Sequence, residues 1–436
     1  MNNYRGFQDT LIPLTNVNFF VGENSSGKTS VLALLELFSK PEFWLRFDFN
    51  AGNYEFGGYK DIVSAFTKDS NEFQVGLSKP SVGKSSSDHL TYFMMCFSKA
   101  SDGLPQLARL SILSYNIFLT IRITENQIAV KADTDIAKYY DISASTNCFA
   151  LMQEITKKSR SGYKIYKGRG KIAIRQAPLI NMPTIIEDLY DDDVINDFVK
   201  EIFTGTYFPG LSMTLASMAP IRTTPKRTYD GYNRRFSPEG EHTPYIIRKK
   251  LSTPGKKHRE FKKALASFGQ ESGLFNEIGI TQFGSDSSAP FELTVTLDKK
   301  ALRVNSVGYG VSQVLPVVIQ LLTHGEDTWL AIQQPEVHLH PKAQAALGGV
   351  IYHVAQNEKQ TLFIETHSDY LIDRFRLCIR DSDQRGKFAQ VIFFERLNDC
   401  NIVYPMAIDN SGEYPDDQPE GFRKFFLEEH ERILRL

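Results

Sequence analysis

The chain has 436 residues, a formal net charge of −1 and 42% hydrophobic residues. At roughly 100–200 residues per domain, that length suggests two or three domains, or one with a large insertion. The composition is that of an ordinary globular protein, and the near-neutral balance excludes a chain acidic or basic throughout. Cys96, Cys148, Cys378 and Cys400 stand far apart with no CxxC pair. That argues against a zinc site or a disulfide framework and suits a reducing cytoplasm. Met1 to Thr10 is polar, unlike a signal peptide, and no apolar run approaches the roughly 20 residues of a membrane span. The expectation is a cytoplasmic protein without a membrane partner.

In chain order, VNFFV (Val17 to Val21) predicts a short buried strand. A glycine-rich turn follows, and SVLALLELF (Ser30 to Phe38) predicts a helix. From about Phe73 to Lys131 several β-type runs, among them HLTYFMMCF (His89 to Phe97), are separated by polar turns, which predicts antiparallel strands. Residues from about Asp133 to Phe291 mix short helical and irregular stretches. After Pro290 the sequence predicts a strand at FELTVTL, a helix at Val311 to Leu322 and a strand at Thr328 to Gln334. A helix at Ala343 to Ala355 and a strand at Gln360 to Thr366 follow. Strands alternating with helices imply a mostly parallel sheet covered by helices. The tail, Asp409 to Leu436, is acidic and Pro/Gly-rich before an expected last helix.

GENSSGKT, Gly22 to Thr29, matches G-x-x-x-x-G-K-[ST] in full, between a predicted strand and a helix. Gly22 and Gly27 allow backbone angles and a close approach that side chains forbid. The backbone N–H groups of Glu23, Asn24, Ser25, Ser26 and Ser30 then have the setting of a phosphate cradle at a helix N-terminus. Lys28 is expected to reach the β- and γ-phosphates of ATP, and the Thr29 hydroxyl to take a place on Mg²⁺.

Three further segments carry the second half of such a site. They are NSVGYGVSQVLP (Asn305 to Pro316), LAIQQPEVHLHPKAQ (Leu330 to Gln344) and LFIETHSDYLI (Leu362 to Ile372). Each apolar strand ends in polar residues, where ligands of open α/β sheets bind. With the phosphate loop, and in this order, they resemble the ABC/SMC-type ATPase heads. Within those, they are similar to the overcoming-lysogenisation-defect and RecF-like ATPases of bacteria. The resemblance covers roughly the first 100 residues and residues 290–400. It extends more loosely to Ala219–Tyr229 and Asp409–Phe422.

The resemblance implies that Ser306, Gly308 and Gly310 belong to a signature segment that closes over ATP held by a second copy. It makes Gln333 and Gln334 the end of the Walker B strand and His367 the switch histidine that senses the γ-phosphate. A homodimer or higher homo-oligomer follows from it. So does a role as an ATP-operated sensor or clamp in antiphage defence, with a separate effector such as a nuclease or toxin. A RecF-like DNA-repair ATPase and a non-hydrolysing ATP-dependent scaffold are the alternatives.

The sequence departs from that pattern at one place. Most relatives end the Walker B strand in two carboxylates, one on Mg²⁺ and one polarising the attacking water. Here both positions are glutamine, and glutamine orients a water but is no general base at neutral pH. Some relatives carry a single Gln at the second position, which makes Gln333 the odder residue. Three readings stand: hydrolysis is slow or absent, Glu336 or another carboxylate supplies the charge, or one glutamine is an engineered substitution. The candidate catalytic set is Gln334, Glu336 and His367, and the candidate metal set is Thr29 and Gln333.

Arg222 to Lys263 holds thirteen Lys/Arg against four Asp/Glu, interleaved with Tyr229, Tyr232, Phe236, Tyr245 and Phe261. Arg234, Arg235, Lys249, Lys250, Lys256 and Lys257 are the candidates for nucleic-acid phosphates, with the aromatics available for stacking. A solvated face, or a rim docking the acidic tail of a neighbour, explains the charge equally. Arg222 and Arg227 also admit a structural role. EDLYDDDVIND (Glu187 to Asp197) reads as a solvated helix face, and no nuclease motif is recognised. The fold class expected is α/β: an ABC-type P-loop head with a mixed sheet. Residues 1–135 would form lobe one with an antiparallel β part, 136–290 an inserted middle region, and 291–436 lobe two and the tail.

Overall fold

The computed structural model describes residues 1–66, 71–80, 90–114, 116–124, 127–138, 140, 148–158, 161–166, 179, 181–204, 214–231, 235–253, 255–286, 288–325, 328–356, 360–382 and 388–424. In chain order, β1 (Val17–Gly22) leads into α1 (Lys28–Phe38). Five strands follow: β2 (Glu72–Pro80), β3 (Leu90–Lys99), β4 (Pro105–Ser114), β5 (Ile117–Ile123) and β6 (Ile128–Asp133). Then come α2 (Cys148–Lys158), β7 (Lys164–Tyr166), α3 (Met182–Leu189), α4 (Asp193–Thr204) and β8 (Leu215–Met218). The basic segment folds as α5 (Thr243–Ser252) and α6 (Lys256–Ser272), followed by β9 (Glu277–Gln282), β10 (Phe291–Leu297) and β11 (Lys300–Arg303). The remainder is α7 (Tyr309–Thr323), β12 (Trp329–Gln333), α8 (Pro341–Ala355), β13 (Thr361–Glu365), α9 (Asp369–Arg380), β14 (Ala389–Leu397) and β15 (Cys400–Ala407).

These elements form two compact units. One comprises residues 1–11, 33–213 and 396–402; the other comprises 12–32, 214–395 and 403–436. The units cut across the division into 1–135, 136–290 and 291–436. The phosphate loop groups with residues 214–395 rather than with the antiparallel strands. The cause is pairing: β1 lies between β13 and β14, parallel to both and in register along its length.

The second unit is built on a sheet of order β15-β14-β1-β13-β12-β8. Its inner strands are parallel and buried, so they read as unbroken apolar runs rather than as alternation. That is why the sequence exposed β1, β12 and β13 so clearly. The expected helices at Val311–Leu322 and Ala343–Ala355 are α7 and α8, each starting a little earlier. Ser368 caps α9 by accepting the Leu371 N–H, a contact worth about 1 kcal/mol. A separate antiparallel ribbon, β11-β10-β9, completes the unit.

The first unit holds the antiparallel sheet β2-β3-β4-β5-β6-β7, whose strands β2 to β6 are those that the β-type runs and polar turns predict. Phe43, Trp44, Phe49, Phe73, Phe93 and Phe97 are fully buried within it, many of their rings edge-on to one another. The acidic stretch at Glu187–Asp197 serves α3 and α4 locally: Asp192 accepts the Val194 and Ile195 N–H groups, and Glu187 pairs with Lys200. The last helix expected in the tail begins within residues 420–424, and residues 425–436 lie outside the described residues. No described helix is long and apolar enough to cross a membrane.

Candidate nucleotide-binding site

Gly22 ends β1 with φ +144°, and a Cβ there would lie 2.1 Å from the Phe394 carbonyl oxygen, so no other residue fits. The loop then turns outward. Glu23, Asn24 and Ser25 are exposed, while Ser26 is buried and its hydroxyl donates to Glu23 O at 2.8 Å. Gly27, at φ +98°, brings the chain into α1. Lys28 is only 4% exposed, and its ammonium donates to Gly22 O at 2.8 Å and Glu23 O at 2.7 Å. Burial pushes its pKa down, and the Glu365 and Glu23 carboxylates oppose that shift.

The strand ends beside this loop are flush. Phe20, Glu365 and Gln333 stand in register across β1, β13 and β12. The Thr29 hydroxyl donates to Glu365 Oε2 at 3.4 Å. Burial raises the Glu365 pKa, against the pull of the Lys28 charge and the Thr29 hydroxyl. Gln334, in the left-handed region at φ +43°, donates its N–H to Glu365 O at 2.8 Å. A non-glycine residue held there stores local strain, which is common at functional turns. Gln333 is buried and Gln334 half-buried.

Glu336 is buried, and its Oε1 accepts the His367 N–H at 2.7 Å. Its Oε2 has no hydrogen-bond partner among the described residues. Burial raises its pKa, opposed chiefly by that backbone N–H. His367 is half-buried, and burial together with the Lys28 charge pushes its imidazole pKa down, which keeps it neutral at pH 7. Arg222 is 2% exposed and donates to Gln333 O at 2.9 Å and Gln334 O at 3.4 Å. Burial lowers its pKa to about 10, so it remains a cation, and Glu336 is its charged neighbour.

The structure thus gathers Lys28, Thr29, Gln333, Gln334, Glu336 and His367 at one edge of one sheet. Two residues that the sequence reading left out of the site join them. Glu365 was visible only as the polar end of LFIET. Arg222 was counted with the basic segment, and its structural role holds. The donor set suits a hard cation: the Thr29 hydroxyl, the Glu365 carboxylate beside it and the Gln333 amide oxygen are all oxygen ligands of the kind Mg²⁺ takes alongside phosphates and water. Among the described residues, no group of three or more His, Cys, Asp or Glu side chains is placed to hold a metal by itself.

The signature segment is a helix entry. Val304–Ser306 forms a 3-10 turn, Gly308 is the N-cap of α7, and Ser306, Gly308 and Tyr309 are exposed. Gly310 is tighter, since a Cβ there would lie 2.9 Å from His338 O.

The basic segment divides by helical period. Lys249, Lys256, Lys257 and Arg235 are exposed and Lys250 is half-buried, whereas Arg248 is buried and donates to Gly231 O and Ala289 O. Arg234 and Tyr232 lie outside the described residues. The stacking role expected of Tyr229 and Phe261 is corrected: both are buried in the core of the second unit, since apolar positions of these segments face inward. Phe236 is 36% exposed and packs on His242.

A parallel α/β sheet with a complete phosphate loop at its edge and a lysine buried in that loop defines a P-loop ATPase domain. The chain belongs to the family described as "AAA domain, putative AbiEii toxin, Type IV TA system", which it matches over residues 135–373. Residues 1–167 also match the family described as "AAA ATPase domain". None of the curated proteins compared with the chain matches it. Among solved structures, it is similar to the SMC head domain from Thermotoga maritima, at 8% identity, covering 93% of this chain and 96% of that one, with a TM-score of 0.34. The Smc head domain with an extended coiled coil bound to the C-terminal domain of ScpA derived from Pyrococcus furiosus gives 11%, 99%, 96% and 0.36. Likeness of that order is too distant to bear on function.

Proposed function

We propose that the chain is an ATP-operated clamp of bacterial antiphage defence, in which two copies close on ATP and signal to a separate effector, a nuclease or toxin. The observation that carries the ATP part is the buried Lys28 ammonium, held by two carbonyls of its own loop beside Thr29 and Glu365. An ammonium has three donors, and a phosphate offers it stronger charge-assisted bonds than a carbonyl does. Exposed Ser306 and Gly308 at the start of α7 support closure by a second copy. The family's description, which names a toxin of a toxin–antitoxin system, supports the defence setting.

Gln333 and Gln334 favour a second reading, a scaffold that binds ATP and does not hydrolyse it. Phosphoryl transfer depends more on positioning and charge than on proton removal, so slow turnover is compatible with glutamine. Hydrolysis is expected well below about 10 per second.

The test combines light scattering with ATP and Mg²⁺ and single-turnover hydrolysis. A doubling of mass with slow hydrolysis supports the clamp, and a doubling with none supports the scaffold. DNA-stimulated turnover points to a RecF-like repair role. A mass that ATP leaves unchanged, or fast turnover, overturns the slow clamp. Lys28→Ala should weaken ATP binding strongly, and unchanged affinity would remove the basis of the reading.

A further inference from the structure

In the antiparallel sheet, Gln74, Cys96, Arg109 and Arg122 form one row, each paired in register with the next across β2, β3, β4 and β5. Residues two positions along a strand share a face. Tyr92, Met94, Leu113 and Phe118 therefore lie on the same face as this row, and they pack with Leu151, Met152 and Ile155 of α2. The face is apolar under the middle of α2 and becomes cationic beneath its last turn. There Gln153, Thr156 and Lys157, with Asn2, Gln74, Arg109 and Arg122, line a cavity of about 280 Å³.

The charges in this cavity are poorly matched. Arg109 and Arg122 are directly opposite on neighbouring strands, an arrangement that destabilises a sheet. Glu72 stands 3.8 Å from Arg109, and the same carboxylate oxygen accepts the Cys96 thiol at 2.9 Å. Arg109 Nε is buried with no hydrogen-bond partner among the described residues. The Arg122 guanidinium lies over the Tyr163 ring at 4.1 Å, a contact that leaves its charge intact. Glu154, on the same helix, is paired with Lys158. The carbonyl end of α2 offsets only about half a charge. Among the described residues, three cations against one carboxylate and a helix end leave a surplus of between one and two positive charges.

We propose that this cavity is a second anion site, one that binds a small phosphate-bearing ligand apart from the phosphate loop. A phosphate dianion matches the surplus charge, and paired guanidinium groups offer it bidentate donors. The cavity is at the small end of ligand sites, which suits a phosphate or a mononucleotide rather than a larger molecule. The like-charge pair that weakens the sheet becomes favourable once an anion lies between its members.

The test uses the full chain carrying Lys28→Ala, so that the phosphate loop does not compete. Binding of inorganic pyrophosphate and of AMP is followed by isothermal titration. Binding that falls tenfold or more in Arg122→Gln, and recovers in part in Arg122→Lys, supports the proposal. AMP tighter than pyrophosphate identifies a nucleotide as the source, and equal binding identifies the phosphate group itself. The unfolding midpoint reports whether Arg122→Gln folds. Without ligand that midpoint should hold or rise, because one of two opposed like charges is gone. Failure of both probes to bind, or binding that Arg122→Gln leaves unchanged, overturns the proposal. So does uptake of a single-stranded oligonucleotide in place of either small probe.

Discussion

Thr29 and Glu365, 336 positions apart in the chain, are joined by a hydrogen bond of 3.4 Å from hydroxyl to carboxylate. The parallel pairing of β1 with β13 creates this contact, since it sets Glu365 level with Phe20, just before the loop. A carboxylate thus stands one strand away from Gln333, its register partner on β12.

Removing that carboxylate should reveal its role. Glu365→Gln keeps the shape and the hydrogen bond from Thr29 but lacks the charge. The gain in ATP affinity on adding Mg²⁺ should shrink by about tenfold or more, while affinity without Mg²⁺ holds or improves as repulsion of the phosphates falls. Titrations with and without the metal check this. An unchanged metal effect would show that Glu365 serves only the fold.

Restoring charge on β12 should act in the opposite sense on turnover. Gln333→Glu or Gln334→Glu is expected to raise single-turnover hydrolysis by about tenfold or more, given the typical contribution of a general base. Gln333 is buried, so its replacement should also lower the unfolding midpoint. A rate that neither variant moves would mean that the glutamines are not what slows the reaction.

Arg222 ties residue 222 to the turn after β12 through two carbonyls. Arg222→Met leaves both acceptors and the Glu336 charge in a dry setting, which should destabilise the fold by about 1–3 kcal/mol. Denaturant titration measures the loss. A stability within about 0.5 kcal/mol of the parent would show the contact to be dispensable.

His242 gives a pH signature. It is buried; its Nδ1 accepts the Ser237 N–H at 3.2 Å and its Nε2 donates to Gln320 at 3.2 Å, a pattern only the neutral ring completes. Burial lowers its folded pKa, against the Gln320 bond. The unfolded chain therefore takes up the proton more readily. This contribution is fully present above the unfolded pKa of about 6.5 and is lost as pH falls through the folded value. Unfolding midpoints from pH 7.5 to 5.5 should fall more steeply in the parent than in His242→Gln. Parallel slopes would remove His242 from the account.

The exposed lysines of α5 and α6 test the nucleic-acid expectation. If Lys249, Lys256 and Lys257 neutralise phosphates, DNA or RNA affinity should fall linearly on a log–log plot against salt. Reversing their charge should flatten that slope while ATP binding stays intact. No binding at low salt, or binding that salt leaves unchanged, would mark the face as merely solvated.

The phosphate loop, the strand before it and the helix after it were legible in the sequence, because both the motif and the apolar run are local. So were β12, β13, α7 and α8, since buried parallel strands and their helices are written as unbroken or periodic apolar stretches. The sequence could not place Glu365 against Thr29, because strand register in a parallel sheet is fixed by packing across hundreds of residues. Nor could it separate the buried Arg222 and Arg248 from the exposed lysines beside them: composition counts charge, while helical period and core packing decide which charges reach water. The row Cys96, Arg109, Arg122 was hidden for the same reason. Each member is an ordinary strand residue until antiparallel pairing aligns them, and only that alignment makes the charges of Arg109 and Arg122 a problem that a ligand can solve.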